Sequence, residues 1–157
     1  MMIPMPLLHK TLVVSLLPLA WLSGCASLND ATMGLLSSTA PALAVVDGRV
    51  LGGEVRLYTD RTGVVSLSAT EAPVLDCMGS LRYTASSHGV MNLRCSNGHE
   101  AMLSFNALSE TSGHARGPGP RDAASLTWGL APGPASAWLV PPAGKRLVVS
   151  DDTLRLE

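Results

Sequence analysis

Between two cysteines, Cys77 and Cys95, residues that suit a buried face of a sheet largely alternate with polar residues. Side chains of a β-strand alternate between its two faces, so this pattern fits two strands joined by a turn centred on Ser86. The residues on one face are then Cys77, Gly79, Leu81 and Tyr83 in the first strand, and Gly89, Met91, Leu93 and Cys95 in the second. In this register Cys77 lies opposite Cys95, and Leu81 lies opposite Met91. The pattern predicts an antiparallel hairpin with one buried face.

The connection after Cys95 reads Ser-Asn-Gly and ends at Gly98. The apolar face of the next strand carries Ala101, Leu103 and Phe105. A two-residue Asn-Gly turn would place these residues on the wrong side of the sheet. A three-residue loop with Gly98 in the left-handed conformation keeps them on the same face as Cys95. We therefore predict the three-residue loop.

Other short alternating stretches follow from Leu43 onward, separated by Gly, Asn, Pro and Ser. A first hairpin is predicted over residues 54–69, with its turn at residues 60–63. Further strands are predicted at residues 126–130 and 147–149, with Leu154 and Leu156 as a continuation of the last one. Residues 113–119 are expected to begin as a strand and end as a loop. Proline-rich links at residues 132–134 and 141–142 bound the segment 138–140.

The composition favours the same fold class. Aromatic residues make up 4% of the chain, while Gly (15) and Pro (11) are plentiful, which suits short strands and many turns. We predict an all-β fold, a small antiparallel sandwich or partly closed barrel of about eight to ten short strands. The net charge of −1 and the absence of a Lys/Arg run in the sequence argue against a nucleic-acid partner.

The first 24 residues have the pattern of an export signal. His9 and Lys10 form a weakly cationic start, and the apolar run over residues 11–21 follows it. A spanning helix needs about 20 apolar residues, and Pro18 with the small residues after the run cuts this one short. Residues 1–24 are therefore predicted to be a cleaved signal peptide.

The run ends in Leu22, Ser23, Gly24 and Cys25, and these four residues resemble the lipobox of bacterial lipoproteins. The resemblance implies that the Cys25 thiol receives a diacylglycerol, that a peptidase cleaves between Gly24 and Cys25, and that the new amino group is often acylated. It also implies that Ala26, in place of Asp, favours sorting to the outer membrane of a Gram-negative host. The alternative is a core or disulfide cysteine after an ordinary signal peptide. Residues 25–42 are expected to form a lipidated tether, with a short helix around residues 33–36 as the competing prediction, and residues 43–157 to form the β domain.

With Cys25 lipidated, Cys77 and Cys95 remain as a pair in an oxidising compartment, so a disulfide between them is predicted. Closing a loop of this length contributes roughly 3 kcal/mol in the chain-entropy model. The alternatives are a redox pair, which usually has Cys-x-x-Cys spacing, and a zinc site.

The other residues that could form a catalytic or metal site are better explained by structural roles. His88, His99 and His114 are predicted to be turn and surface residues, with His88 and His99 on opposite faces of the sheet. The carboxylates Asp76, Glu100, Asp151 and Asp152, and the Gly-x-Gly at Gly117 and Gly119, also resemble no active-site motif. We predict no catalytic residue, no metal site and no cofactor.

Three functional hypotheses follow. The first is a non-enzymatic envelope lipoprotein that binds or scaffolds, held to the lipid bilayer through acylated Cys25 on the periplasmic face of the outer membrane. The second is a small periplasmic hydrolase or carbohydrate-active enzyme with a site built from loops. The third is an accessory subunit of an envelope assembly that uses an exposed strand edge for an envelope protein partner.

Overall fold

The computed structural model describes residues 36–69, 71–118 and 124–157. The predictions for the signal peptide, for Cys25 and for residues 26–35 of the tether lie outside the described residues. The same holds for Gly119 and for most of the proposed helix around residues 33–36.

Eight antiparallel strands form a closed barrel in which each strand pairs with its neighbours in the chain. The strands are β1 (Ser37–Val46), β2 (Arg49–Tyr58), β3 (Thr62–Ala69), β4 (Leu75–Tyr83), β5 (His88–Cys95), β6 (Glu100–Ala107), β7 (Gly113–Arg116) and β8 (Ser125–Trp128). The barrel closes where β8 pairs with β1. The all-β prediction is confirmed, and the barrel is fully closed.

The barrel starts before the predicted domain boundary. Residues 37–42, which the sequence analysis assigned to the tether, belong to β1 and pair with β2. Their inward-facing side chains are Ala40 and Ala42, and both are buried. Because alanine is small and common in linkers, this alternation does not stand out in the sequence, so the prediction for these residues was wrong.

The hairpin of β4 and β5 has the predicted register, with Cys77 paired to Cys95 and Leu81 paired to Met91. The two cysteine Sγ atoms lie 1.98 Å apart, which is a disulfide bond. The three-residue loop after Cys95 is also confirmed. The Cys95 N–H donates to the His99 carbonyl at 2.8 Å, and Gly98 has a φ of 86°.

The β2–β3 turn differs in detail from the predicted turn at residues 60–63. Gly63 lies inside β3 and pairs with Leu81. The left-handed position is taken by Arg61, with a φ of 68°. Asp60 Oδ1 accepts hydrogen bonds from the backbone N–H and the hydroxyl of Thr62, at 3.0 and 2.6 Å. These hydrogen bonds stabilise a turn that ends before Gly63, whereas the predicted turn included Gly63.

Apolar side chains of all eight strands fill the barrel interior. They include Leu51, Val55, Val65, Leu81, Met91, Leu103, Phe105, Leu126 and Trp128, each at most 2% exposed. An eight-stranded barrel has an interior of about the width that side chains can fill. Phe105 makes edge-to-face contacts with both Tyr83 and Trp128, at centroid distances of 4.8 and 5.8 Å.

A second, smaller core lies outside the barrel. After β8 the chain forms the short helix α1 (Pro132–Ser136) and a separate two-stranded sheet of β9 (Leu147–Ser150) and β10 (Thr153–Leu156). Val45, on the outer face of β1, packs with the buried residues Ala135, Leu139 and Leu154 of this C-terminal segment.

The structure of the C-terminal segment differs from the prediction in three places. Residues 132–134, predicted to be a link, begin α1, because proline is well suited to the first turn of a helix. Leu154 and Leu156 form a separate strand antiparallel to β9, since Asp151 and Asp152 reverse the chain with φ of 49° and 54°. Leu130 lies beyond the end of β8 and packs against the second core.

Candidate functional site

The three histidines that were predicted to be turn and surface residues lie on different strands or loops. His88 is exposed at the start of β5, and its Nδ1 lies 3.0 Å from Ser87 Oγ. His99 is partly buried in register with the inward-facing residues, so the two rings lie on opposite faces, as predicted. Within the described ranges, no group of three or more His, Cys, Asp or Glu residues is arranged to hold a metal ion.

His114 has a different role from the one predicted. Its ring stacks on Trp138 with a centroid distance of 3.9 Å and an interplanar angle of 11°. The neighbouring Arg116 donates a hydrogen bond to the Trp138 carbonyl at 3.1 Å. Partial burial, and to a lesser extent the positive charge of Arg116, lower the pKa of His114. These contacts fasten the C-terminal segment to β7.

The carboxylates and glycines considered as catalytic candidates lie in separate places. Asp151 and Asp152 form the exposed β9–β10 turn, as expected of a solvated turn. Gly117 continues the backbone pairing after β7, donating to the Ala124 carbonyl at 2.9 Å. Asp76 is exposed near the start of β4, and Glu100 is paired with Arg94 on the outer wall.

A shallow, open groove on the outer wall of β4, β5 and β6 is a candidate binding site in the described part of the chain. Met78 and Met102 flank it, with 68% and 66% of their surfaces exposed. The other lining residues are Gly79, Ser80, Asn92, Leu93, Arg94, Glu100 and Ala101, and the groove has a volume of about 740 Å³. We call this surface the methionine groove.

The strand register explains the composition of the methionine groove. Met78 pairs with Arg94, which pairs with Glu100, and Asn92 pairs with Met102. All five side chains therefore point outward from three adjacent strands. Arg94 Nε and Glu100 Oε1 lie 2.8 Å apart, and both side chains are largely exposed. The groove thus combines two polarisable thioethers with a charge pair of both signs.

Two further grooves continue the methionine groove across the wall. One, of about 470 Å³, includes Met78 and reaches Gly53 on β2. The other, of about 500 Å³, shares Ser80 and Asn92 and reaches the exposed Val64 on β3. The C-terminal segment packs instead on the outside of β1. The outer wall of β3–β6 is therefore an indented surface, and no residue of the C-terminal segment lines these grooves.

Sequence reasoning missed Met78 and Met102, although a signal was present. Met78 falls between the inward-facing Cys77 and Gly79, and Met102 falls between Ala101 and Leu103. Their outward orientation therefore follows from the predicted register. Two large apolar residues at outward positions of β4 and β6, on either side of β5, are unusual enough to mark an interaction surface.

Two buried side-chain polar atoms have no hydrogen-bond partner in the described part of the chain. They are Nε1 of Trp128 and Nε2 of His99, and both atoms are buried. Trp128 belongs to the aromatic cluster of Tyr83, Phe105 and Trp128. Burial raises the pKa of Tyr83 in this cluster, and the smaller effect of the Arg61 charge opposes this increase.

Comparison with known proteins adds no assignment to this geometry. No family model, no curated protein and no solved structure matches the chain. Within residues 36–69, 71–118 and 124–157, no helix has the length and apolar character that crossing a membrane requires.

Proposed function

We propose that this chain is an envelope lipoprotein whose barrel is a binding module, tethered to the periplasmic face of the outer membrane by lipid on Cys25. The lipobox residues from Leu22 to Cys25 support the anchor. The Cys77–Cys95 disulfide supports an oxidising compartment, because such bonds form and persist there.

The methionine groove carries the proposal of a binding role. The barrel interior is filled by the protein's own side chains, so a partner binds to the outside of the barrel, where Met78 and Met102 are exposed on the outer wall. Met side chains adapt their shape to an apolar partner and are over-used at binding surfaces. This surface suits an accessory subunit of an envelope assembly. We expect the partner protein to place one apolar side chain between Met78 and Met102, and polar groups against Arg94 and Glu100.

The closed barrel changes the mode of binding that the third hypothesis assumed. β3, β4 and β5 are paired on both sides along nearly their whole length, so a partner strand meets no free edge on these three strands. At the closure, the Gly129 N–H donates to the Pro41 carbonyl at 2.8 Å, and Pro41 has no N–H to donate in return. We therefore propose recognition of an envelope protein partner through side chains of the wall.

Site-specific photocrosslinking in the native host tests the binding role. A photoreactive amino acid replaces Met102 in one variant and Val74 in a control, since Val74 is 63% exposed and lies outside the groove lining. We expect a discrete adduct with one envelope protein from position 102 and none from position 74. Adducts of equal yield at both positions, or none at position 102, would contradict a binding role for the groove.

A further inference from the structure

The methionines in the described part of the barrel differ sharply in exposure. The surfaces of Met78 and Met102 are 68% and 66% exposed, whereas Met91, on the inner face of β5, is fully buried. The cysteines of the barrel, Cys77 and Cys95, are already joined in a disulfide. Within residues 36–69, 71–118 and 124–157, Met78 and Met102 therefore carry the thioether sulfur atoms that an oxidant in solution reaches.

Oxidation changes the chemical character of a methionine side chain. A lone pair of the thioether sulfur attacks one oxygen of hydrogen peroxide, so that an S–O bond forms and the O–O bond breaks. The sulfur is oxidised to a sulfoxide, the peroxide is reduced, and its second oxygen leaves with both protons as water. The sulfoxide is polar and accepts hydrogen bonds, and its formation disrupts interfaces that depend on methionine.

The strand register places a hydrogen-bond donor beside each exposed methionine. Arg94 is the direct cross-strand partner of Met78, and Asn92 is that of Met102. Side chains paired in this way have Cβ atoms about 5 Å apart, a gap that long side chains can bridge. Arg94 uses Nε for its ion pair with Glu100 and carries further N–H groups, and the side-chain amide of Asn92 carries two. A sulfoxide oxygen on either methionine can therefore accept a hydrogen bond from a side chain of β5.

Oxidation would bring polar groups into the centre of the methionine groove. Both donors lie on β5, between the two strands that carry the methionines. Hydrogen bonds to these donors draw the sulfoxide oxygens over β5, into the space that the proposed function assigns to an apolar side chain of the partner. Covering these polar groups with an apolar side chain costs free energy. The oxidised groove is therefore unsuited to the partner that fits the reduced groove.

We propose that Met78 and Met102 form an oxidation site, at which a peroxide converts both thioethers to sulfoxides and so closes the methionine groove to its apolar partner. This inference rests on the proposed binding function of the groove. Met91 stays reduced inside the barrel, so the fold is retained while binding is lost.

Peptide mass spectrometry tests the oxidation site. The full-length protein is purified from membranes, treated with hydrogen peroxide for increasing times and digested, and the gain of one oxygen atom is followed at each methionine. We expect Met78 and Met102 to be oxidised at least about tenfold faster than Met91, because oxidation follows exposure. In urea, which exposes all three, the rates should become similar. Equal rates in the folded protein would overturn the assignment.

Photocrosslinking in the native host tests the effect on binding. The photoreactive amino acid replaces Ser80, which is exposed and lines the groove, so that both methionines stay in place. We expect brief peroxide treatment of the cells to remove most of the adduct. The adduct should survive when Met78→Leu and Met102→Leu are added, since leucine has a similar volume and is not oxidised. The partner protein receives the same oxidant in both cases.

The possible results separate the oxidation site from the binding role. An adduct that persists after Met78 and Met102 have been oxidised would overturn the effect on binding and leave the binding role of the groove intact. Equal loss of the adduct in the leucine variant would also overturn it, since the oxidant would then act elsewhere. An adduct that is absent before any treatment would contradict the proposed binding function, and its control by oxidation as well.

Discussion

The side chain of Trp128 occupies the space that a side chain on Gly113 would fill. The two residues pair directly across β7 and β8, and a Cβ atom on Gly113 would overlap the six-membered ring of the indole. Phe105 has the same relationship to Gly89, its partner across β5 and β6. Large side chains fit into this narrow barrel because glycine stands opposite them.

Replacing Gly113 with alanine tests this packing. We expect Gly113→Ala to lower the free energy of unfolding by about 1–3 kcal/mol, because the indole of Trp128 and the backbone at Asn106 have to move in a filled interior. The control is Gly52→Ala, since a Cβ at Gly52 meets no atom within 4 Å. That variant should keep the parent stability or gain up to about 1 kcal/mol. Urea unfolding followed by tryptophan fluorescence measures both, and equal stabilities would refute the packing relationship.

Loss of the disulfide should destabilise the barrel without changing its strand register. The bond joins residues 18 apart in sequence. The chain-entropy model gives a loss of about 3 kcal/mol for the Cys77→Ser, Cys95→Ser double variant. The measurement is urea unfolding of this variant beside the parent, with and without reductant. If reductant lowered the stability of the double variant as much as that of the parent, the bond would not be the source of the effect.

The stack of His114 on Trp138 predicts a pH dependence of stability. Burial and the nearby Arg116 lower the pKa of His114 in the folded protein, so the folded state favours the neutral ring. This contribution is complete above the unfolded pKa of about 6.5 and is lost as the pH falls through the lower folded value. Stability should therefore decrease below about pH 6.5.

A matched pair of variants separates the effect of His114 from that of the exposed His88. His114→Phe keeps an aromatic ring beside Trp138 but cannot take up a proton, so its stability should change less between pH 7.5 and pH 5. His88→Gln, at an exposed residue without this stack, should retain the parent dependence. Thermal unfolding at a series of pH values makes the comparison, and a parent-like profile for His114→Phe would rule out the stack as its origin.

The parts of the fold that could be predicted are those in which the alternation is strong. The polar residues Ser80, Arg82, Asn92 and Arg94 alternate with inward-facing residues, and this alternation determined the β4–β5 register, because a shift of one residue would turn every side chain to the other face. Ala40 and Ala42 provided no such contrast, so the start of β1 was missed.

Long-range packing accounts for most of the remaining errors. The second core unites Val45 with Leu139 and Leu154, and no local pattern in the sequence indicates that these residues meet. The role of His114 depends in the same way on Trp138, which reaches it only after the C-terminal segment folds back. For the methionine groove, the register was available from the sequence, but the exposure of Met78 and Met102 depends on which part of the wall the C-terminal segment covers.

Mass spectrometry of the mature N-terminus tests the central proposal most directly. We predict that the native protein begins at Cys25 and that this residue carries a diacylglycerol on its sulfur atom. Cys25→Ser should block both cleavage at this bond and lipid attachment. A mature chain that begins elsewhere, or an unmodified Cys25 in protein that still fractionates with the membrane, would contradict the account.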